Sequence, residues 1–184
     1  MAHDDPHHPH PHAHSHDAVP QQHKARAPAW ARVFVVTCSD TRTAETDEGG
    51  SYIRARLAAL GHVHKGSLIV RDEPALILDA LSKARAAGAQ AVLLTGGTGL
   101  SSRDSTFEAV EAALARPLPG FGELFRSLSF GEIGSAAMLS RATAGVTPEG
   151  LLVFAMPGSP GAVRLACERL IFPELLHLLE ELQR

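Results

Sequence analysis

From Ala91 to Glu108 the chain reads Ala-Val-Leu-Leu-Thr-Gly-Gly-Thr-Gly-Leu-Ser-Ser-Arg-Asp-Ser-Thr-Phe-Glu, and no other stretch constrains the fold as strongly. The uninterrupted apolar run from Ala91 to Leu94 has the character of a strand covered on both faces, which belongs in a mainly parallel sheet between layers of helices. Ser105-x-x-Glu108 has the spacing of a capping box, so a helix is predicted to open directly after the glycines. A strand that passes through a glycine-rich turn into a helix N-terminus builds an anion site. Glycines let backbone N–H groups approach an oxyanion with no Cβ in the way, and the first helical turn offers unpaired donors and the positive end of its dipole. The turn lacks the Gly-Lys-Ser/Thr ending of a Walker A loop and the third glycine of a dinucleotide fingerprint. What remains is a phosphate cradle beside Asp104, a carboxylate suited to catalysis, to metal binding or, on the plainest reading, to capping a helix.

Strand and helix patterns alternate on either side of this stretch. A strand over 33–36, a helix over 47–60 stopped by Gly61, a strand over 62–70 and a helix over 74–87 stopped by Gly88 precede it, the second helix carrying the apolar stripe Leu76, Ile77, Ala80, Leu81 and Ala84. A helix over 106–115, two short helices around Glu123 and Ala136, strands over 142–146 and 151–155 joined by a turn at Pro148-Glu149-Gly150, and helices over 159–170 and 173–182 follow it. This rhythm predicts an α/β fold of three layers: a mostly parallel sheet with helices on both faces and one antiparallel hairpin. Leu175, Leu178, Leu179 and Leu182 recur at helical spacing, as expected of core or of a subunit interface.

With 184 residues, 45% of them hydrophobic, and charges near balance, one globular domain is expected, over residues 31–184. The net charge of −3 comes from interspersed signs and aromatic content is only 5%, so the basic stripe with aromatic platforms that nucleic-acid binders use is absent from the sequence. Cys38 and Cys167 have no zinc or redox spacing and sit among apolar residues, as reduced core thiols do. No apolar run reaches the roughly 18 residues of a membrane span and no secretory leader pattern opens the chain, so neither membrane insertion nor export is expected, and a cytoplasmic setting is. Residues 1–30 differ in composition. Eight of the eleven histidines lie between His3 and His23, interleaved with Pro, Asp and Ala. Such a segment has too little to bury to fold by itself, and is expected to be either a solvated disordered extension or a chelator of Zn²⁺, Ni²⁺ or Co²⁺.

Ligands of open α/β sheets sit at the carboxyl ends of the strands. Here those positions hold Ser39 and Asp40 after the first strand, Asp72 after the second, Gly96 to Asp104 after the third, and Pro157, Gly158 and Ser159 after the last. Each alone fits a turn or a cap, Asp72 before Glu73-Pro74 in particular; together they form a coherent polar set.

The run Thr95-Gly96-Gly97-Thr98-Gly99 through Arg103-Asp104-Ser105-Thr106 resembles the Thr-Gly-Gly-Thr-Gly-x-x-x-Arg-Asp-x-Thr signature of the MoaB/MogA family, the molybdopterin adenylyltransferases of molybdenum cofactor biosynthesis. Pro119-Gly120-Phe121-Gly122-Glu123-Leu124-Phe125-Arg126, Glu132-Ile133-Gly134, Ala137-Met138-Leu139-Ser140-Arg141-Ala142 and Met156-Pro157-Gly158-Ser159-Pro160 resemble further family segments in the family's order, and point to the MoaB branch. The resemblance runs from about Arg32 onward. One departure is Phe107, where many members carry Pro; since Phe takes the same backbone angles, little consequence is expected.

The resemblance implies Mg²⁺-dependent transfer of AMP from ATP to molybdopterin. It maps the functional aspartates onto Asp72 and Asp104, the pterin-phosphate end onto Ser140 and Arg141, and nucleotide contacts onto Ser39, Asp40, Gly96, Gly97, Thr98, Gly99, Pro157, Gly158 and Ser159. Asp104, at the phosphate loop, is the carboxylate expected on the Mg²⁺ side, and Asp72 a second one that holds the metal or orients the attacking phosphate. A homo-oligomer, trimeric or hexameric, and transient contact with a molybdate-inserting enzyme are also implied. Two other functions fit the same residues: a non-catalytic pterin carrier on this fold, and metal storage centred on the histidines. The related domain of molybdate-inserting and competence-type proteins is a further relative, normally embedded in a longer chain.

Overall fold

The computed structural model describes residues 29–101 and 104–184; the histidine-rich segment and the pair Ser102 and Arg103 lie outside the described residues. In chain order the elements are β1 (Arg32–Cys38), α1 (Glu48–Ala59), β2 (Val63–Val70), α2 (Pro74–Ala86), β3 (Ala91–Thr95), α3 (Thr106–Ala113), β4 (Arg116–Pro117), α4 (Pro119–Ile133), a 3₁₀ turn over Gly134–Leu139, β5 (Thr143–Val146), β6 (Leu152–Met156), α5 (Pro160–Ala166), a π turn over Cys167–Ile171, and α6 (Phe172–Glu181).

The strands form one sheet in the order β2-β1-β3-β6-β5-β4. Neighbours from β2 to β6 pair in parallel, while β5 pairs antiparallel with both β6 and β4. Alternation of side chains along the strands splits the core into two layers. Val33, Val35, Leu93 and Phe154 face α1, α4, α5 and α6, meeting Ile53, Leu57, Phe125 and Leu175. Phe34, Val36, Leu94 and Val153 face α2 and α3, meeting Ile77, Ala80, Leu81 and Val110. Every residue of β3 is buried, because helices cover both of its faces. The expected three-layer fold with one antiparallel hairpin is the fold observed.

Three local expectations are corrected and one element is added. The two short helices around Glu123 and Ala136 are one 15-residue α-helix, α4, followed by the 3₁₀ turn. Arg116–Pro117 form a short edge strand, a place where proline's missing N–H costs no ladder bond. The helices read as separate over 159–170 and 173–182 are one continuous helical path. Pro173 has no N–H to continue an i→i−4 ladder, and the π turn that precedes it takes up the mismatch. Finally, the Ser105/Glu108 capping box does not form, since Ser105 makes no side-chain capping bond to α3.

After β1 the chain turns outward to β2 and then returns to the other side of β1 as β3. This reversal opens a crevice at the carboxyl ends of β1 and β3, the place where such sheets take ligands.

Candidate active site

The crevice is built by the turns that leave β1, β2, β3 and β6. Ser39 N donates to Val70 O at 2.8 Å, tying the end of β1 to the end of β2, and Gly96 N donates to Met156 O at 3.0 Å, tying the end of β3 to that of β6. The Ser39 hydroxyl oxygen accepts from the amides of Thr41 at 3.3 Å and Arg42 at 3.1 Å, which curls the first turn back on itself. The Arg42 guanidinium then spans the crevice mouth, donating to Thr46 O and to Gly158 O, both at 3.2 Å. Below it, buried Asp47 caps α1 by accepting from Gly50 N at 2.9 Å and also accepts from Thr37 Oγ1 at 3.0 Å. The last turn of β1 is thereby anchored to a helix N-terminus.

Gly96 and Gly97 have φ of +96° and +61°, the left-handed region that favours glycine. A Cβ at Gly96 would strike the Cys38 carbonyl, and one at Gly97 would strike the Asp72 carboxylate and the Thr106 hydroxyl. These glycines are therefore required by the protein's own packing as well as by any approaching phosphate.

Asp72 does not cap the helix that follows it. The N-cap of α2 is Glu73, with no side-chain capping bond. Asp72 instead reaches across to the start of α3, where its Oδ1 accepts from Ser105 N at 3.1 Å, Ser105 Oγ at 3.0 Å and Thr106 Oγ1 at 3.1 Å. Asp104 closes the glycine loop: its Oδ2 accepts from Ser101 N at 3.0 Å and its own N–H donates to Ser101 O at 2.9 Å. Beside them, burial pushes the Cys38 thiol up to about 12, with the Asp72 charge adding to the rise and a Thr106 hydrogen bond opposing it. A thiol so weakly acidic stays protonated and is no nucleophile at neutral pH.

The resulting cleft is about 460 Å³. Of the residues expected at the site it is lined by Ser39, Asp40, Asp72, Gly96, Gly97, Asp104, Gly158 and Ser159, and it adds Thr37, Cys38, Arg42 and Thr95. Thr98, Gly99, Ser140, Arg141 and Pro157 are not on its wall. Thr98 is buried, and Arg141 is turned onto the glycine loop, donating to Thr98 O from Nε at 2.9 Å and to Gly99 O from Nη2. Arg42 could have been noticed as a cation two residues after the strand-end Asp40; its reach to Gly158 has no local signal.

A larger groove, about 630 Å³, lies at the opposite end of the sheet between α2, α3 and the β5–β6 turn. Its floor of Leu78, Leu81, Ala112, Ala113 and Leu151 contains none of the strand-end polar set, so the smaller cleft is the better chemical candidate. Among the described residues no cluster of three or more His, Cys, Asp and Glu could hold a metal. Three carboxylates, Asp40, Asp72 and Asp104, nevertheless line the open cleft, and one or two of them would suit Mg²⁺, which completes its shell with phosphate and water.

Residues 34–177 match the family described as "Probable molybdopterin binding domain". "Molybdenum cofactor biosynthesis protein B" of Halalkalibacterium halodurans is 50% identical over 164 residues, 88% of this chain and 96% of that protein. The crystal structure of a molybdenum cofactor biosynthesis protein B superposes with a TM-score of 0.82 at 47% identity, covering 86% of this chain and 99% of that one. That of the tungsten cofactor synthesizing protein MoaB from Pyrococcus furiosus does so with a TM-score of 0.79 at 36% identity, covering 86% and 100%.

Proposed function

Since the chain belongs to the molybdopterin-binding family of molybdenum cofactor biosynthesis and has its role in that pathway, we propose that it adenylylates molybdopterin with ATP. A phosphate oxygen of molybdopterin attacks the α-phosphorus of ATP, the bond from that phosphorus to the bridging oxygen of the β-phosphate breaks, and pyrophosphate leaves with the electron pair. The adenylylated pterin is then ready for metal insertion. The observation that carries this reading is the convergence, in one cleft, of the left-handed Gly96-Gly97 turn with Asp72 and Asp104.

The reaction brings two anions together at a crowded phosphorus, so the site must supply positive potential and fixed orientation. Backbone donors of the glycine loop hold phosphate oxygens, since the start of α3 is already engaged by Asp72 and by Gly97 O. Arg42 adds a cation at the mouth. Ser39, Asp40, Gly158 and Ser159 position the nucleotide, and the Ser140 region receives the pterin end. Asp104, with Asp72 as the second carboxylate, would hold Mg²⁺, which would supply neutralisation of phosphate charge. Asp72 is fixed by three donors from Ser105 and Thr106 at the start of α3, which orients its remaining oxygen. The reading extends to assembly: Leu124, Phe130, Ile133, Met138 and Leu139, on α4 and the turn after it, are each more than half exposed and would be covered in a trimer or hexamer of this chain. A transient encounter with a molybdate-inserting enzyme completes it.

Incubation with molybdopterin, ATP and Mg²⁺ tests the reaction, and adenylylated pterin and pyrophosphate should form in equal amounts. Tight pterin binding with no product at saturating ATP would identify a carrier instead.

A further inference from the structure

Arg141 approaches the glycine loop from the segment just before β5, and both ends of that loop meet its guanidinium. On one side its Nε and Nη2 donate to the carbonyls of Thr98 and Gly99. On the other, Nη1 pairs with Glu108 Oε1 and Nη2 reaches Glu108 Oε2 at 3.4 Å, while the Phe107 ring lies under the guanidinium carbon at 4.9 Å. Phe107 and Glu108 belong to the first turn of α3, where the loop ends. One side chain thus holds the departing and returning strands of the loop together.

We propose that Arg141, seated by Phe107 and Glu108, is a positioning residue that latches the phosphate loop and through it aligns Asp104. In a trans peptide the C=O and the following N–H point in opposite directions, so turning the carbonyls of Thr98 and Gly99 to the guanidinium faces the amides of Gly99 and Leu100 the other way. Gly99 packs against Asp104 so closely that a Cβ there would lie 2.5 Å from Asp104 Oδ2. A shift of Gly99 therefore moves the carboxylate. The planar, forked guanidinium can meet two carbonyls, a carboxylate and a ring face at once; an ammonium cannot. The Arg141 side chain is 21% exposed and its Glu108 partner 60%, so the part-buried bonds to the loop carbonyls hold the guanidinium more firmly than the solvated ion pair does. Phe107, which by sequence alone has only a backbone role, acquires a side-chain role.

The bearing of the latch on activity rests on the adenylyl-transfer reading, but its first test does not. In ligand-free protein, NMR hydrogen exchange at the amides of Ser101 and Asp104 should quicken about tenfold in Arg141→Lys and about two- to fivefold in Phe107→Leu. Exchange in β3 and β6 should be unchanged, and Phe107→Tyr, which keeps the ring face, should restore the slow rate. ATP affinity should fall in step, because a smaller share of the loop is competent to bind. Weaker ATP binding with unchanged exchange in the ligand-free protein would mean that Arg141 touches the ligand itself, and would overturn the latch. Faster loop exchange in a protein that binds no ATP even when unsubstituted would uphold the latch and discard the nucleotide reading.

Discussion

Asp72 and Asp104 do different structural work, and the difference matters when either is replaced. Asp72 accepts three hydrogen bonds from the start of α3, so truncation to Ala would disturb the helix as well as the chemistry. Asn keeps an acceptor while removing the charge. Asp72→Asn and Asp104→Asn should each lower single-turnover adenylylation about a hundredfold or more with pterin affinity nearly unchanged, the pattern of an interaction made only in the transition state. Near-normal turnover in either variant would leave that aspartate a purely structural residue. Gly97 presents the opposite case. Sequence reasoning suggests that a side chain there only blocks phosphate, but in the structure it also collides with Asp72 and Thr106 and is held at positive φ. Gly97→Ala should therefore lose ATP binding and also about 1–3 kcal/mol of stability, seen as a lower Tm; an unchanged Tm would show that the loop relaxes freely.

Among the elements, α1 and the π turn are joined by Glu168, which accepts from Arg56 Nε at 2.6 Å and from the Tyr52 hydroxyl at 2.7 Å. Arg56 first, then Tyr52, holds the Glu168 carboxyl below the usual carboxylate range. The contribution of this link to stability is complete above that range and is lost as pH falls through the lowered pKa. Glu168→Gln should flatten the acid limb of Tm against pH; a limb of unaltered slope would place the acid-sensitive group elsewhere. The link is partly solvated and small beside the core contacts of α6. Leu175 on α6 is fully buried, and Leu175→Ala should cost about 2–5 kcal/mol in a denaturant titration. Of the leucine stripe, Leu175 and Leu179 are core, and Leu178 and Leu182 pack partly buried against it, so this stripe serves the monomer, and the exposed apolar face belongs to α4.

At the scale of the whole molecule, Phe130→Asp on that face should lower the solution mass measured by light scattering while leaving the monomer folded; an unchanged mass would remove α4 from the interface. Deleting residues 1–28 should abolish most Zn²⁺ or Ni²⁺ uptake and leave the proposed adenylyl transfer intact, whereas a folded truncated protein without activity would bring that segment to the site. The three-layer architecture, the cover on both faces of β3 and the placement of Asp72 and Asp104 after strands were all legible in sequence. Each is written in nearby residues: an apolar run, a helical stripe, a carboxylate in the turn after a strand. Partnerships between distant residues were not. Asp72 binds Ser105, Arg141 binds Thr98, and Arg42 binds Gly158 across 33, 43 and 116 positions. Ser105 and Glu108 have the spacing of a capping box, but tertiary partners claim both side chains. Local periodicity determines which elements form and which face of each is apolar, because those depend on neighbours a few residues apart. Where a polar side chain finds its partner depends on which loops the sheet order brings together, and only the folded chain decides that.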